Sequence, residues 1–477
     1  MVSCLGYDVQ RHEANYRTDD YRDYADYHRF GRVEEQLARQ KKFPTHRQKR
    51  TWRWVFYLSP LQRRSSGTHR PRPGLGWTPI EGAADMSSQS SVGSDVNMQP
   101  KQPTSAPVKR PEKKWRAGVI GATGLVGQRL VKLLADHPWF ELTEVAASER
   151  SFGKCYADAV TWHLDVPIPA FAGRLVVKGL DPNLGCDFVF SALDSSVAGP
   201  AEEDFARAGY PVVSNSKNHR MDPDVPLLIP EVNPGHLDAI PLQQKNRGYE
   251  GGFIVTNPNC STAGLVLVLK PLSDSFGLEK IFVVTLQAVS GAGYPGVASM
   301  DIQGNVIPFI SGEEEKMESE PQKLLGKWDG ARFVDAGLGL SAHCNRVPVL
   351  DGHLECVSVG LKKIASLNEV REALKDFEID TELASLPSAV RHPVVVLDEP
   401  DRPQPRRDLR VGEGMAAVVG RVRECPLLDV KFTLLSHNLV RGAAGAALLN
   451  AELLAARGFL KHRAAPSESN LTERVSR

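Results

Sequence analysis

The stretch "AGVIGATGLVGQRLVKLL", Ala117 to Leu134, constrains the fold more than any other part of the chain. A short apolar strand, Ala117 to Ile120, runs straight into Gly121, Gly124 and Gly127, and Leu125, Leu130, Leu133 and Leu134 then recur at helical spacing. Strand, glycine turn and helix in immediate succession open a dinucleotide-binding unit. The turn admits a pyrophosphate to the backbone, and the helix N-terminus attracts its charge. Gly121, Thr123, Gly124, Leu125, Val126 and Gly127 are the candidate contacts. The spacing is G-x-x-G-x-x-G, not the commoner G-x-G-x-x-G, and glycines placed for packing alone are the competing reading.

The next strand, "ELTEVAAS", ends at Ser148 and is followed by Arg150 and Ser151. An acidic residue here holds the ribose of NAD, whereas an arginine accepts the 2′-phosphate of NADP. Ser148, Arg150 and Ser151 favour NADP, with Glu149 between them as the counter-signal. "CDFVFSAL", "YPVVSN" and "FIVTNPNC" continue the alternation of strands and helices. The fold class is therefore α/β, an open and mainly parallel sheet whose strand ends converge on one crevice. Ser191 and Ala192 follow one strand, Ser214, Asn215, Lys217 and Arg220 the next, and Cys260 the last. Cys260, in "TNPNCST" before the apolar run "AGLVLVLKPL", has two readings. It is either a packing thiol or a nucleophile whose pKa is lowered by a helix N-terminus.

Composition restricts the partners. The chain has 477 residues, 42% of them hydrophobic, and a formal net charge of +1, which gives no ground for nucleic acid or a membrane as the main partner. Seven scattered cysteines show neither a disulfide framework nor a metal-ligand spacing, so a reducing compartment and no metal are expected. With no apolar run of membrane-span length and no signal-peptide core at the N-terminus, the expected location is the cytoplasm. Residues 1–112 are polar and irregular, with a basic stretch from Lys41 to Arg72, and are expected to be a disordered extension. A working start near Met86 or Met98 would give the same pattern.

From Trp115 to Arg457 the chain resembles the aspartate-4-semialdehyde dehydrogenases, in particular the fungal and archaeal branch. The resemblance rests on "GVIGATGLVGQRL", "SNSKNHRMDPDVPLLIPEVNP", "TNPNCST", "LQAVSGAGYPG", "ISGEEEKMESEPQKLLG", "RVPVLDGHLE" and "SHNLVRGAAGAALLNAEL", in that order. It implies NADPH-dependent reductive dephosphorylation of L-4-aspartyl phosphate to L-aspartate 4-semialdehyde, in lysine, threonine and methionine biosynthesis. By resemblance Cys260 is the nucleophile, His353 the acid/base, and Gln287 an amide beside the acyl group. Arg346 matches the arginine that grips the substrate carboxylate, and Glu320 the carboxylate that binds its amino group. Arg220 and Lys323 match the phosphate cations, with Lys217 a neighbouring candidate. Asn438 matches a contact near the nicotinamide; Ser191, from its place at a strand end, is a further candidate cofactor contact. Pro321 stands where the family usually has threonine, and a proline there can shift a helix start and with it the pose of Glu320 and Lys323. Most carboxylates of "GEEEKMESE", Glu313 and Glu314 included, are expected on a solvated face.

The expected architecture is a Rossmann-type NADP-binding domain over 113–257, completed by 437–460, an inserted α/β catalytic and dimerisation domain over 258–436, and a flexible tail over 461–477. A homodimer or homotetramer is implied. The alternatives are a malonyl-CoA reductase with similar cysteine chemistry, and a non-enzymatic relative that keeps the fold as a regulatory protein.

Overall fold

The computed structural model describes residues 111–464. All but the last two residues of the expected extension, and the tail beyond residue 464, lie outside them. Residues 461–464 are anchored, since the Arg463 amide and the His462 ring both meet the Asp187 carboxylate, at 2.9 and 3.0 Å.

The first sheet consists of β1 (Trp115–Ile120), β2 (Phe140–Ala146), β3 (Val177–Lys178), β4 (Phe188–Ser191), β5 (Pro211–Ser214) and β6 (Phe253–Thr256). All pairings are parallel and the order is β3-β2-β1-β4-β5-β6. Every residue of β4, β5 and β6 is buried, as parallel strands covered on both faces require. The strand order reverses between β1 and β4, which opens a crevice at the carboxyl ends of these two strands.

Helix α1 (Leu125–Leu134) starts at that crevice. Its buried residues are Gly127, Gln128, Leu130, Val131 and Leu134, while Leu125 and Leu133 are only partly covered. The inner face is thus turned from the one the leucines predict, because Gly127 lets the helix lie directly against the turn. A Cβ there would stand 2.3 Å from the Gly121 carbonyl oxygen. Gly121 has φ +80° and lies against the Ala192 backbone. The buried Gln128 amide donates to the Thr123 and Thr161 carbonyls and pins the turn.

The second sheet has the order β10-β7-β11-β14-β13-β12. It comprises β7 (Leu278–Gln287), β10 (Gly339–Arg346), β11 (His353–Leu361), β12 (Val394–Leu397), β13 (Ala417–Glu424) and β14 (Val430–Ser436). A small ribbon, β8 (Lys327–Trp328) with β9 (Phe333–Val334), lies between β7 and β10 in sequence. Helix α2 (Cys260–Phe276) and helix α3 (Glu313–Leu324) pack on one face of the second sheet. The other face leaves Phe282, His343 and Cys356 exposed. The final helix α4 (Gly445–Ala456) is buried almost all round, within the core of the first sheet.

Two glycines of the turn should behave differently. Gly127→Ala forces a Cβ into backbone and should cost about 1–3 kcal/mol of stability. Gly124→Ala meets nothing closer than 3.6 Å and should unfold at nearly the unaltered temperature. Thermal unfolding of the two variants tests this; equal losses would mean that Gly124, too, serves packing.

Candidate active site

Both sheets send strand ends to one cleft of about 700 Å³. From the first sheet, Asn257 and Pro258 follow β6, and Asn259 caps α2. Its side-chain oxygen accepts the amides of Ser261 and Thr262 at 2.9 and 3.2 Å. Cys260 is therefore the first residue of a helix, where unpaired amides and the dipole favour negative charge. Gly442 packs against it so closely that a Cβ would stand 2.7 Å from the Cys260 Cβ.

The second sheet supplies three side chains by its register. Gln287 and Arg346 end the parallel neighbours β7 and β10 and sit opposite one another, and His353 begins the antiparallel β11 beside them. His353 Nε2 lies 3.2 Å from Cys260 Sγ, and its Nδ1 accepts the Ala288 amide at 3.1 Å. Arg346 donates to the Ala288 carbonyl at 2.8 Å. Gly291 leaves room for both, since a Cβ there would stand 2.8 Å from Arg346 Nη1 and 3.0 Å from the His353 ring.

Burial governs the charges. It drives the His353 pKa down to about 3, so the ring is neutral at pH 7. Burial first, and the Glu313 carboxylate second, push the Cys260 thiol up to about 12. The resting pair is a thiol and a neutral imidazole. With Nδ1 accepting, the ring carries its proton on Nε2, facing the sulfur.

Gly124, Leu125, Val126, Lys217, Arg220, Cys260, Gln287, Arg346 and Asn438 all line the cleft. Asn438 bonds the Gly352 amide and the Ser290 hydroxyl, tying the loop after β7 to the segment before His353. Ser148 and Arg150 stand exposed just beyond β2, and the Ser151 amide closes a turn on the Ser148 carbonyl.

The side chains of Ser191, Glu320 and Lys323 are engaged elsewhere than on the cleft wall. The Ser191 hydroxyl turns away from the cleft to the buried Glu202 carboxylate, 2.6 Å away, and the cleft is lined by Ala192, Leu193 and Asp194 instead. Glu320 does not line the cleft, because its two oxygens are taken by Arg220 and the Asn259 amide. Lys323 does not line it either, because its ammonium donates to three backbone carbonyls, of Arg220, Asp222 and Val225. Pro321 starts no helix; α3 begins at Glu313 and runs through it.

The residues of α3 that reach the cleft are Glu313 and Lys316. Glu313, expected in solvent, is 4% exposed and accepts from Asn259, Gln287 and Lys316 at 2.8, 3.1 and 2.5 Å. The signal that could have found them is the repeated Glu-x-x-Lys spacing, 313/316 and 320/323. Both pairs lie on one helix face.

Together the nucleotide-binding sheet and the thiol–imidazole pair define an oxidoreductase with a cysteine at the mouth of its dinucleotide cleft. An aspartate-semialdehyde dehydrogenase of Archaeoglobus fulgidus is 50% identical over 342 residues, 72% of this chain and 98% of that one. The chain belongs to the aspartate-semialdehyde dehydrogenase family. The Trichophyton rubrum enzyme is 48% identical over 360 residues, covering 73% of this chain and 99% of its own. Family models for a semialdehyde dehydrogenase NAD binding domain and a semialdehyde dehydrogenase dimerisation domain match residues 116–240 and 269–441. The structure of the Candida albicans aspartate-semialdehyde dehydrogenase with NADP matches with a TM-score of 0.67 at 45% identity, over 73% of this chain and all of that one.

Since Glu313 disfavours the thiolate, Glu313→Gln should speed alkylation of Cys260 by iodoacetamide at pH 7–8 by about tenfold, one pKa unit of thiolate population. Mass spectrometry of the Cys260 peptide against pH measures it. An unchanged rate would leave burial alone as the cause.

Proposed function

We propose that this chain reduces L-4-aspartyl phosphate to L-aspartate 4-semialdehyde and phosphate with NADPH, through a thioester on Cys260. The carrying observation is the 3.2 Å contact between Cys260 and His353 at the mouth of a dinucleotide cleft. Gly124 lines that cleft, and a Cβ there would meet only the Gly121 carbonyl oxygen, at 3.6 Å, which leaves room for a pyrophosphate at the start of α1. When bound, NADPH supplies the hydride. The sulfur attacks the acyl carbon and phosphate leaves; after reduction, the thiohemiacetal collapses to aldehyde and thiol. The His353 imidazole takes the thiol proton as the sulfur attacks, phosphate leaves with the electron pair of the acyl–oxygen bond, and the imidazolium returns the proton to the sulfur when the thiohemiacetal collapses. A base role toward the thiol requires the Ala288 contact to give way.

Arg346 takes the substrate carboxylate as a bidentate partner. Glu313, rather than Glu320, takes the amino group. Lys217, Arg220 and Lys316 surround the phosphate. A buried carboxylate near the sulfur suits an amino-acid substrate and has no use with malonyl-CoA. Arg150, with Ser148 and Ser151, receives the 2′-phosphate of NADP. The two sheets support a division into a nucleotide domain closing near residue 257 and a catalytic domain returning near 437. The dimerisation-domain match supports an oligomer, and we assign a homodimer, able to pair into tetramers, to the open face around Phe282 and Cys356.

The test is phosphate-dependent NADP reduction with aspartate semialdehyde. Cys260→Ser should fold and bind NADP yet lose about 10³-fold or more in turnover; activity near the unaltered level would exclude the covalent route. Arg346→Lys should raise the KM for the semialdehyde about tenfold or more with the pH profile kept, whereas His353→Asn should lower kcat and alter that profile. Parallel kinetics in the two variants would make His353 a binding residue. Arg150→Ala should weaken NADP at least about tenfold more than NAD, by loss of a charge-assisted bond. Equal weakening in a fluorescence titration would assign the arginine a structural part.

A further inference from the structure

We infer that Glu320 and Lys323 are positioning residues that set Arg220 against the Cys260 sulfur, acting through the backbone and the guanidinium rather than on the substrate. The inference rests on the reading of Arg220 as a phosphate cation.

Glu320 is 1% exposed. One carboxylate oxygen accepts Arg220 Nη1 at 2.9 Å and the other accepts the Asn259 amide at 2.6 Å. Asn259 is the cap immediately before Cys260. A single carboxylate thus spans the phosphate cation and the start of the nucleophile helix, and its fixed width sets the spacing between them. Arg220 Nη2 is held from the other side by the Asn215 carbonyl at 2.9 Å, so the guanidinium has little freedom to swing.

Lys323 lies one turn further along the same face of α3 and is 3% exposed. Its Nζ is 2.8 Å from each of the carbonyls of Arg220, Asp222 and Val225, and 4.4 Å over the Phe333 ring. Three carbonyls surround the Nζ, and no open direction is left for a ligand. Those carbonyls belong to the irregular segment after β5 that carries Arg220. Its outer side is tied separately, through Asp222 and Asp224 to Arg247. No residue between 220 and 225 lies in a regular element that would hold this shape unaided. The lysine gathers the segment from within.

The test uses the full chain in the phosphate-dependent direction, with separate KM values for phosphate and for aspartate semialdehyde, and thermal unfolding alongside. Lys323→Met should raise the phosphate KM about tenfold while the semialdehyde KM stays within about twofold, since displacement of one binding group penalises one ligand. Glu320→Gln, which keeps the side-chain size and so guards against a misfolded Lys323→Met, should raise the phosphate KM several-fold with the same selectivity. A rise in the semialdehyde KM alone in Glu320→Gln would overturn the inference, because Glu320 would then meet the amino group. Arg220→Ala separates the two layers of the argument. If it raises the phosphate KM while Lys323→Met and Glu320→Gln do not, the positioning role is wrong; if Arg220→Ala itself leaves the phosphate KM unchanged, Arg220 is not the phosphate cation and both readings fall.

Discussion

The site depends on how Asn259 is held. Its side-chain oxygen caps α2, its side-chain nitrogen donates to Glu313 and its backbone amide donates to Glu320. These contacts join the helix that bears the sulfur to the helix that bears the carboxylates. The segment carrying Arg220 is bound to the same helix α3 through Glu320 and Lys323. Gln287 also bonds Glu313, which brings in the end of β7, and β7 fixes Arg346 and His353 by register. Few of these groups can move without moving the cap.

The arrangement requires burying charge, and buried charge is tolerated only where each group finds partners. Glu313 meets Asn259, Gln287 and Lys316, which hold its carboxyl below its ordinary pKa against the opposing effect of burial. Glu320 divides its oxygens between a guanidinium and a backbone amide. Lys323 has only carbonyls and a ring, and burial lowers its pKa to about 7. The thiol and the imidazole are instead kept neutral until a ligand arrives. Side chains held by so many fixed partners suit a reaction in which phosphate, acyl carbon and nicotinamide must meet at one atom.

Much of this was legible in the residues. The open, mainly parallel sheet follows from the alternation of short apolar runs with helices, and the nucleotide turn from its glycines, of which Gly127 meets the Gly121 and Ala122 backbone close by in the chain. Cys260 could be placed at a helix start because Asn259 and the apolar run after it are adjacent in sequence. Arg346, His353 and Gln287 came from motif resemblance, and strand pairing explains why they meet. Ser191 could not be read, because its hydroxyl is claimed by Glu202, on the helix that follows β4, and nothing local marks a buried carboxylate.

The sequence by itself determined the nucleotide turn and the capped cysteine, since each is set largely by sterics or hydrogen bonds between near neighbours. Only the tertiary structure decided which Glu-x-x-Lys pair of α3 does which task. Glu313 and Glu320 are seven positions apart, almost two full turns at 3.6 residues each, so they share a face and a local pattern. Their surroundings differ because one end of α3 lies over the ends of β7 and β10 and the other against the segment after β5. That difference is set by how the helix packs between the two sheets.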